Sequence, residues 1–165
     1  MNILCAAGLA IASGSPSEKV FEHLKDLRSI PGRLEFCGLS KIKAKIYVDY
    51  AHTPDALTAA LFSLRELTEN KITLVFGCGG GRDKFKRPIM GEIAENFADG
   101  VIITDDNPRN EDSKRIRRAI LETCPSALEI PNRKEAIITA INQGQKGDSI
   151  LIAGKGHEKF QIIDD

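Results

Sequence analysis

The sequence predicts an α/β domain with a mostly parallel sheet and helices on both of its faces. Segments with strand and helix patterns alternate from residue 45 onward, which is the order that parallel βαβ units require. Three of the strand segments, 73–76, 101–103 and 150–153, are apolar throughout instead of alternating with polar residues. Strands that helices cover on both faces have this composition.

The elements can be placed in chain order from periodicity and from turn residues. An apolar face predicts a helix over 2–13, and Ser17 is expected to cap a second short helix before Pro31 and Gly32 mark a boundary. Beyond that boundary a hairpin is expected over 33–49. Strands are predicted at 33–38, 45–49, 71–77, 100–104, 127–130 and 148–153, and helices at 54–68, 86–97, 112–123 and 132–142.

The composition excludes several classes of protein. The 165 residues carry 23 Lys and Arg against 23 Asp and Glu, so the chain lacks the basic excess of a nucleic-acid-binding protein. Aromatic residues make up only 5%, which argues against a stacking surface for single strands. No run of about 18 apolar residues predicts a membrane span. The four cysteines are scattered without a CxxC pair, so neither zinc nor disulfides are expected and a reducing cytosol is the default.

Polar segments follow four of the predicted strands at their carboxyl ends. They span 49–54, 77–84, 105–109 and 154–158, whereas the opposite ends of the strands carry ordinary residues. Ligands of open α/β sheets bind outside the carboxyl ends of the strands. These segments therefore predict a binding crevice at that edge of the sheet.

Each segment also has a purely structural interpretation. Thr53 and Pro54 make a good helix start, and 105–109 has the composition of an ordinary turn. The glycine loop 77–81 matches neither GxxxxGK[ST] nor GxGxxG, so it is equally consistent with a tight turn. The cations that follow this loop fit either a solvated face or an anion site; they are Arg82, Lys84, Lys86 and Arg87.

The residues alone leave the chemistry open. Isolated aspartates at strand ends do not establish a Mg²⁺ site, and no metal site is predicted from them. Cys78 is the one cysteine expected in the crevice, and it is interpreted as an inert thiol. The pattern thus predicts an α/β domain that binds a small anionic or zwitterionic ligand.

Five motifs, in order, resemble the Mur ligases of peptidoglycan synthesis. Within that family they are most similar to the branch that adds meso-diaminopimelate, and the match extends from about Asn2 to Ile163. The motifs are PGRLE at 31–35, VDYAHTPDAL at 48–57, FGCGGGRDK at 76–84 with KRP at 86–88, TDDNPR at 104–109, and AGKGHE at 153–158. One departure is that Gly80, Gly81 and Phe85 stand where relatives often have an acidic residue and a glycine.

The resemblance implies a domain organisation. Residues 1–30 resemble the end of the family's central ATP-binding domain, and residues 31–165 resemble its C-terminal, Rossmann-like domain. That domain has a largely parallel sheet with one antiparallel strand, which the hairpin 33–49 is expected to supply. The P-loop and the Mg²⁺ ligands belong to a part of the family's central domain that is not in this sequence. The chain is therefore expected to be a fragment, with the rest of the ligase upstream.

The resemblance also implies the roles of individual residues. Residues on the ATP side of the site would be Asn2, Arg33, Asp49, Tyr50 and His52. Residues that hold meso-diaminopimelate would be Arg82, Asn107, Pro108, Arg109, Gly154 and Glu158. The triplet 107–109 is the family's mark for diaminopimelate, and no catalytic residue is identified in this chain.

The implied activity is that of an ATP-dependent, amide-forming ligase in the bacterial cytoplasm. ATP, with Mg²⁺ held mainly by the central domain, would activate UDP-N-acetylmuramoyl-L-alanyl-D-glutamate as an acyl phosphate, which the amine of diaminopimelate then attacks. The isolated chain is expected to be inactive. The alternatives are a lysine-adding relative, a stand-alone binding module without catalysis, and a generic doubly wound hydrolase or phosphatase.

Overall fold

A computed structural model describes residues 2–27, 30–158 and 160–161. The chain forms two compact units, Met1–Ile30 and Pro31–Asp165. No helix within the described residues is long and apolar enough to cross a membrane.

The first unit contains two helices and a short 3₁₀ turn. Helix α1 spans Asn2–Ala12, helix α2 spans Ser17–His23, and the 3₁₀ turn spans Leu24–Asp26. The predicted cap at Ser17 is wrong, because Ser17 is already helical and Pro16 occupies the capping position without a side-chain bond. Pro16 has φ −60° and ψ 130°, so its extended backbone alone sets the start of the helix.

The described residues of the second unit form a six-stranded sheet with four helices. Its strands are β1 (Glu35–Leu39), β2 (Lys45–Asp49), β3 (Ile72–Phe76), β4 (Gly100–Ile103), β5 (Leu128–Glu129) and β6 (Ser149–Ala153). Its helices are α3 (Pro54–Leu67), α4 (Lys86–Phe97), α5 (Ser113–Leu121) and α6 (Arg133–Gln143). The strand order is β1-β2-β6-β3-β4-β5, with β1 antiparallel to β2 and every other neighbouring pair parallel. The predicted fold class is confirmed.

The first strand begins two residues later than the sequence predicts. Leu34 has φ 44°, a left-handed conformation that no strand accommodates. Its backbone N–H donates instead to the Asp49 carboxylate at 2.6 Å. Arg33 and Leu34 therefore form a turn ahead of β1, and this turn brings Arg33 to the carboxyl end of β2.

The core lies on both faces of the sheet. Leu74 and Phe76 of β3 are fully buried among residues of α3, α4 and α5. Val75, between them, is buried on the opposite face with Ala136 and Ala140 of α6. Each fully buried aliphatic side chain contributes about 1.5–3 kcal/mol relative to an exposed one. This double covering explains why β3, β4 and β6 are mostly apolar and do not alternate with polar residues.

Candidate functional site

The four polar segments meet at the carboxyl edge of the sheet and line one cleft of about 570 Å³. Most of the predicted site residues lie on its wall: Tyr50, His52, Arg82, Asn107, Arg109, Gly154 and Glu158. The wall also contains Asp106, Lys86, Cys78 and the apolar side chains of Phe85 and Ile89. Cationic and anionic side chains thus face the same space.

Three predicted residues do not line the cleft, and a fourth cannot be placed. Asp49 accepts hydrogen bonds from the backbone N–H groups of Leu34 at 2.6 Å and Ala51 at 2.7 Å, so it fixes the local chain. Pro108 is buried and contributes its carbonyl to the packing of a neighbouring loop. Arg33 lies beside the cleft on Tyr50, and the side chain of Asn2 falls outside the described residues.

Tyr50 is the centre of an aromatic and cationic corner. The Arg33 guanidinium carbon lies 4.6 Å from the centroid of the Tyr50 ring, a cation–π geometry. The rings of His52 and His157 lie 4.8 and 5.8 Å from it, and the Lys86 ammonium donates to the His52 carbonyl at 2.7 Å. Thr53 caps α3 immediately behind this corner, with Pro54 at the first helical position. The corner offers flat rings, two cations and a helix N-terminus to a ligand.

The glycine loop and the loop 105–109 interlock. The Gly80 N–H donates to the Asn107 carbonyl at 2.8 Å, and Nη1 of Arg109 donates back to the Gly80 carbonyl at 2.8 Å. A Cβ atom on Gly80 would lie 1.8 Å from the Pro108 carbonyl oxygen, so only glycine fits this approach. Gly80 is therefore needed for the packing of the two loops, whatever else the glycine loop does.

Arg109 adopts a strained backbone conformation with its side chain half-buried. Its φ of 51° lies in the left-handed region, which is uncommon for a residue with a Cβ atom. Among the described residues, Arg109 donates hydrogen bonds only through Nη1, to the carbonyls of Gly80 and Asn107. The remaining guanidinium nitrogens are thus available to a ligand in the cleft.

The four cations after the glycine loop have different roles. Arg82 and Lys86 line the cleft, whereas the Arg87 side chain is only 5% exposed and lies 3.1 Å from Glu111. Glu111 also accepts from the Gly81 N–H at 2.7 Å and faces Lys84. The bond from Gly81, followed by the bonds and charges of Arg87 and Lys84, holds the pKa of Glu111 below its usual value. Glu111 was missed because nothing in the sequence connects it to a loop thirty residues earlier.

A polar network joins the last segment to the loop 105–109. The Lys155 ammonium donates to Oδ1 of Asn107 at 2.8 Å and to Oε2 of Glu158 at 2.9 Å. Glu158 also accepts from the Tyr50 hydroxyl at 3.3 Å and from Nδ2 of Asn107 at 3.4 Å. Burial acts to raise the pKa of Glu158, but Lys155, Tyr50 and Asn107 together lower it below its usual value. Lys155 was missed although it stands between two glycines of the polar segment.

The aspartates that follow β4, Asp105 and Asp106, do not come together as ligands of one metal ion. Asp105 pairs with the buried Arg117, which also holds Glu129 at 2.6 Å. Asp106 lines the cleft and accepts from the Asn107 N–H at 2.6 Å. No three His, Cys, Asp or Glu side chains in the described part of the chain come together as a metal site. These residues do not fit a Mg²⁺ ion bound by this chain alone.

Cys78 is not a nucleophile at neutral pH. Only 4% of the residue is exposed, and its Sγ lies 3.8 Å from the Met90 sulfur. Burial raises the pKa of the thiol to about 11, so the thiolate is scarce. The prediction of an inert thiol agrees with this geometry, which also removes a candidate nucleophile for a hydrolase.

Comparison with known proteins identifies the family. The model of the family described as "Mur ligase, glutamate ligase domain" matches residues 32–156. The chain belongs to the Mur ligase family. The resemblance seen in the five motifs is thus confirmed, and the match covers the cleft-lining segments 49–54, 77–84 and 105–109 and the start of the segment 154–158.

Individual Mur ligase relatives have more specific names. The UDP-N-acetylmuramoyl-L-alanyl-D-glutamate–2,6-diaminopimelate ligase of Chelativorans sp. (strain BNC1) is 55% identical over 98% of this chain, which is 34% of that protein. The ligase of the same name from Zymomonas mobilis is 54% identical over 98% of this chain and 33% of that protein. A solved structure of a ligase of this name has 38% identity and a TM-score of 0.75 over 98% of this chain and 34% of that one. The chain spans about a third of the length of these Mur ligases.

Proposed function

We propose that this chain supplies the amino-acid-binding part of a Mur ligase that adds meso-diaminopimelate to UDP-N-acetylmuramoyl-L-alanyl-D-glutamate in the bacterial cytoplasm. In this proposal the unit Met1–Ile30 is the end of a central ATP-binding domain, and the unit Pro31–Asp165 is the C-terminal domain. The remainder of the ligase would lie upstream and would bind the nucleotide substrate and Mg²⁺.

The observation that carries the proposal is the mixed charge of the cleft. Arg82 and Arg109 present guanidinium groups, whereas Asp106 and Glu158 present carboxylates to the same 570 Å³ space. Guanidinium groups bind carboxylates by paired hydrogen bonds, and carboxylates bind ammonium groups. Diaminopimelate carries two carboxylates and two amines, so its chemistry complements both sets of side chains.

The second supporting observation concerns the nucleotide side. We place ATP against the corner of Arg33, Tyr50 and His52, where flat rings and cations suit a nucleotide. Asp49 would act there indirectly, because its carboxylate holds the backbone of Leu34 and Ala51. The role of Asn2 on the ATP side remains a prediction.

The proposed chemistry assigns binding and orientation to this chain. ATP would transfer a phosphoryl group to the D-glutamate carboxylate of the nucleotide substrate and leave as ADP, Mg²⁺ would stabilise the phosphate charge, and inorganic phosphate would leave when the amine attacks. The cleft would hold diaminopimelate so that one neutral amine points at that carboxyl carbon, and orientation alone lowers the barrier substantially. Closing the cleft over the reactants would exclude water, which otherwise hydrolyses the activated acyl group.

A ligase chimera tests the proposal. In this chimera, the matching third of the Chelativorans ligase is replaced by the present chain. Release of ADP is measured with UDP-N-acetylmuramoyl-L-alanyl-D-glutamate and either meso-diaminopimelate or L-lysine. We expect turnover with diaminopimelate at least about a hundredfold more efficient than with lysine, since a site built for a polar partner rejects an analogue that lacks it. Equal efficiency with both amino acids would contradict the assigned substrate.

Calorimetry provides a second measurement in case the chimera is poorly active. The 165-residue chain is titrated with meso-diaminopimelate and, as the control, with L-lysine. If the chain binds diaminopimelate but not lysine, the result supports the proposal even if the chimera is poorly folded. If the chimera shows no turnover and the chain binds neither amino acid, the proposed function is wrong.

A further inference from the structure

Lys155 is a buried lysine between the two glycines of the last polar segment. The residue is 8% exposed, and its ammonium lies between the side chains of Asn107 and Glu158 at 2.8 and 2.9 Å. Burying an ammonium is costly unless it is paired and hydrogen-bonded. Its location is therefore determined by these two partners, both of which face the cleft.

The bond to Asn107 fixes the orientation of the amide. An ammonium only donates hydrogen bonds, so the amide must turn its oxygen to Lys155 and its Nδ2 group away. That Nδ2 group then lies 3.4 Å from Oε2 of Glu158. Lys155 thus decides which end of the Asn107 amide is presented to a ligand.

The bond to Glu158 fixes the carboxylate. Oε2 accepts from Lys155 and Oε1 accepts from the Tyr50 hydroxyl, so each oxygen is held from a different segment of the chain. A carboxylate has about four lone-pair sites, so these bonds leave at least one site for a ligand ammonium. Without Lys155, both side chains would lose their shared cationic donor.

We propose that Lys155 is a positioning residue for amino-acid recognition: its ammonium sets the Asn107 amide and the Glu158 carboxylate in the orientation that receives diaminopimelate. The inference rests on the proposed function, since it assumes that the cleft binds this amino acid. It adds a determinant that touches no substrate itself and acts through two side chains that do.

The charges around Glu158 determine the expected pH dependence. Lys155, the Tyr50 hydroxyl and Asn107 face Glu158 directly, and their combined effect places the pKa of its carboxyl below the usual value. From α6, the partly buried Arg133 interacts electrostatically with both Glu158 and Asp106. If Lys155 is removed, burial of the carboxyl is less well compensated and its pKa rises. Glu158 then takes up a proton at a higher pH than in the wild type.

The test compares Lys155→Met, Lys155→Arg and the control Lys71→Met in the ligase chimera. Lys71 is an exposed lysine at the opposite edge of the sheet, so its replacement removes the same charge far from the cleft. For Lys155→Met we expect KM for diaminopimelate to rise about tenfold or more, as for the loss of hydrogen bonds to a charged group. KM for ATP should stay unchanged, and the acidic limb of kcat/KM should move to higher pH.

Lys155→Arg separates the effect of side-chain positioning from the effect of charge. It also tests the inference if Lys155→Met fails to fold. Its positive charge keeps the acidic limb in place, but the wider guanidinium displaces the Asn107 amide, so KM for diaminopimelate rises. Lys71→Met should behave as the wild type. An unchanged KM for diaminopimelate in either Lys155 variant that folds overturns the inference while the proposed function stands. A wild-type chimera without turnover, together with a chain that binds no diaminopimelate, would instead overturn the proposed function.

Discussion

Nη1 of Arg109 donates a hydrogen bond to the carbonyl oxygen of Gly80 at 2.8 Å. The same two loops are joined a second time, because the Gly80 N–H donates to the Asn107 carbonyl at 2.8 Å. The Arg109 side chain is therefore held at the wall of the cleft by protein contacts, although its backbone is left-handed at φ 51°. Side chains that are ordered before binding lose less conformational entropy when the ligand arrives.

Replacing Gly80 with alanine is expected to separate the two loops. The new Cβ atom would lie 1.8 Å from the Pro108 carbonyl oxygen, and backbone atoms must move to relieve that overlap. We expect Gly80→Ala to lower the free energy of unfolding by about 1–3 kcal/mol, as overpacked sites do. Urea denaturation measures this loss, and calorimetry should show weaker binding of diaminopimelate.

Gly100→Ala is the matched control for this experiment. Gly100 starts β4, and a Cβ atom there meets nothing closer than 3.5 Å. Its effect on stability should stay within about 0.5 kcal/mol, the range of ordinary surface substitutions. Equal stability of the two variants would show that the Gly80 loop adapts and that its glycine is dispensable.

Asp99 lies at the edge of the sheet opposite the cleft, and it should make the stability of the chain depend on pH. Burial acts to raise the pKa of Asp99, but the bonds from the Ile72 N–H at 2.7 Å and from Arg65 at 2.6 Å lower it overall. The stabilisation is therefore present above the unfolded-state pKa of about 3.9 and is lost as the pH falls through the lower folded-state value.

Asp99→Asn tests this dependence. The variant should have a lower urea midpoint than the wild type at pH 7, and the difference should shrink as the pH falls from about 5 to 3. Glu92→Gln removes an exposed carboxylate from α4 as the control, and its midpoint should follow the wild type throughout. A difference for Asp99→Asn that stays constant across this range would mean that the carboxylate charge does not stabilise the fold.

The sequence predicted the sheet and helices because their signals are local. The apolar runs of β3, β4 and β6 are visible in the chain, and so is the Thr53 cap of α3. Contacts between distant segments have no such signal. Lys155 meets Asn107 across 48 residues, and Glu111 reaches Gly81 across 30, so neither could be found by pattern.

The assignment of Asp49 shows the same limit within a single motif. The sequence placed Asp49 at the end of a strand, which is correct. Its short bond from the Leu34 N–H depends on the left-handed turn at Leu34, which apolar periodicity does not predict. A polar residue in a motif can thus shape the site without facing the ligand.

The isolated chain is expected to release no ADP from ATP. The GxxxxGK[ST] loop, whose backbone N–H groups and lysine cradle phosphates, does not occur in the 165 residues. ATP should also bind with a Kd weaker than micromolar. Micromolar affinity requires about 8 kcal/mol of binding free energy, and this chain would supply only part of the ATP site. A coupled assay and calorimetry on the purified chain check both points, with the ligase chimera as the positive control. Steady ADP release by the chain alone would refute its proposed role as the non-hydrolysing part of a ligase.

Arg109 is expected to select diaminopimelate over lysine. The two amino acids differ by one carboxylate at the far end, and a guanidinium recognises that group through two parallel hydrogen bonds. Because Nη1 is already held by Gly80, the nitrogens that remain are oriented before the ligand enters. Arg109→Ala in the ligase chimera should therefore lose about 30- to 1000-fold in kcat/KM for diaminopimelate, equivalent to about 2–4 kcal/mol.

Arg109→Lys separates the shape of the group from its charge. The lysine ammonium keeps the positive charge but cannot donate two parallel hydrogen bonds to a carboxylate. Its single nitrogen also cannot bind the Gly80 carbonyl and a ligand carboxylate with the geometry of the guanidinium. We expect it to lose much of the diaminopimelate activity while activity with lysine hardly changes. Arg115→Lys, on the exposed face of α5 with 88% of its side chain accessible, is the matched control and should be silent. If both Arg109 variants stay within about threefold of the wild type, a difference below 1 kcal/mol, the loop 105–109 is a structural turn and another residue selects the amino acid.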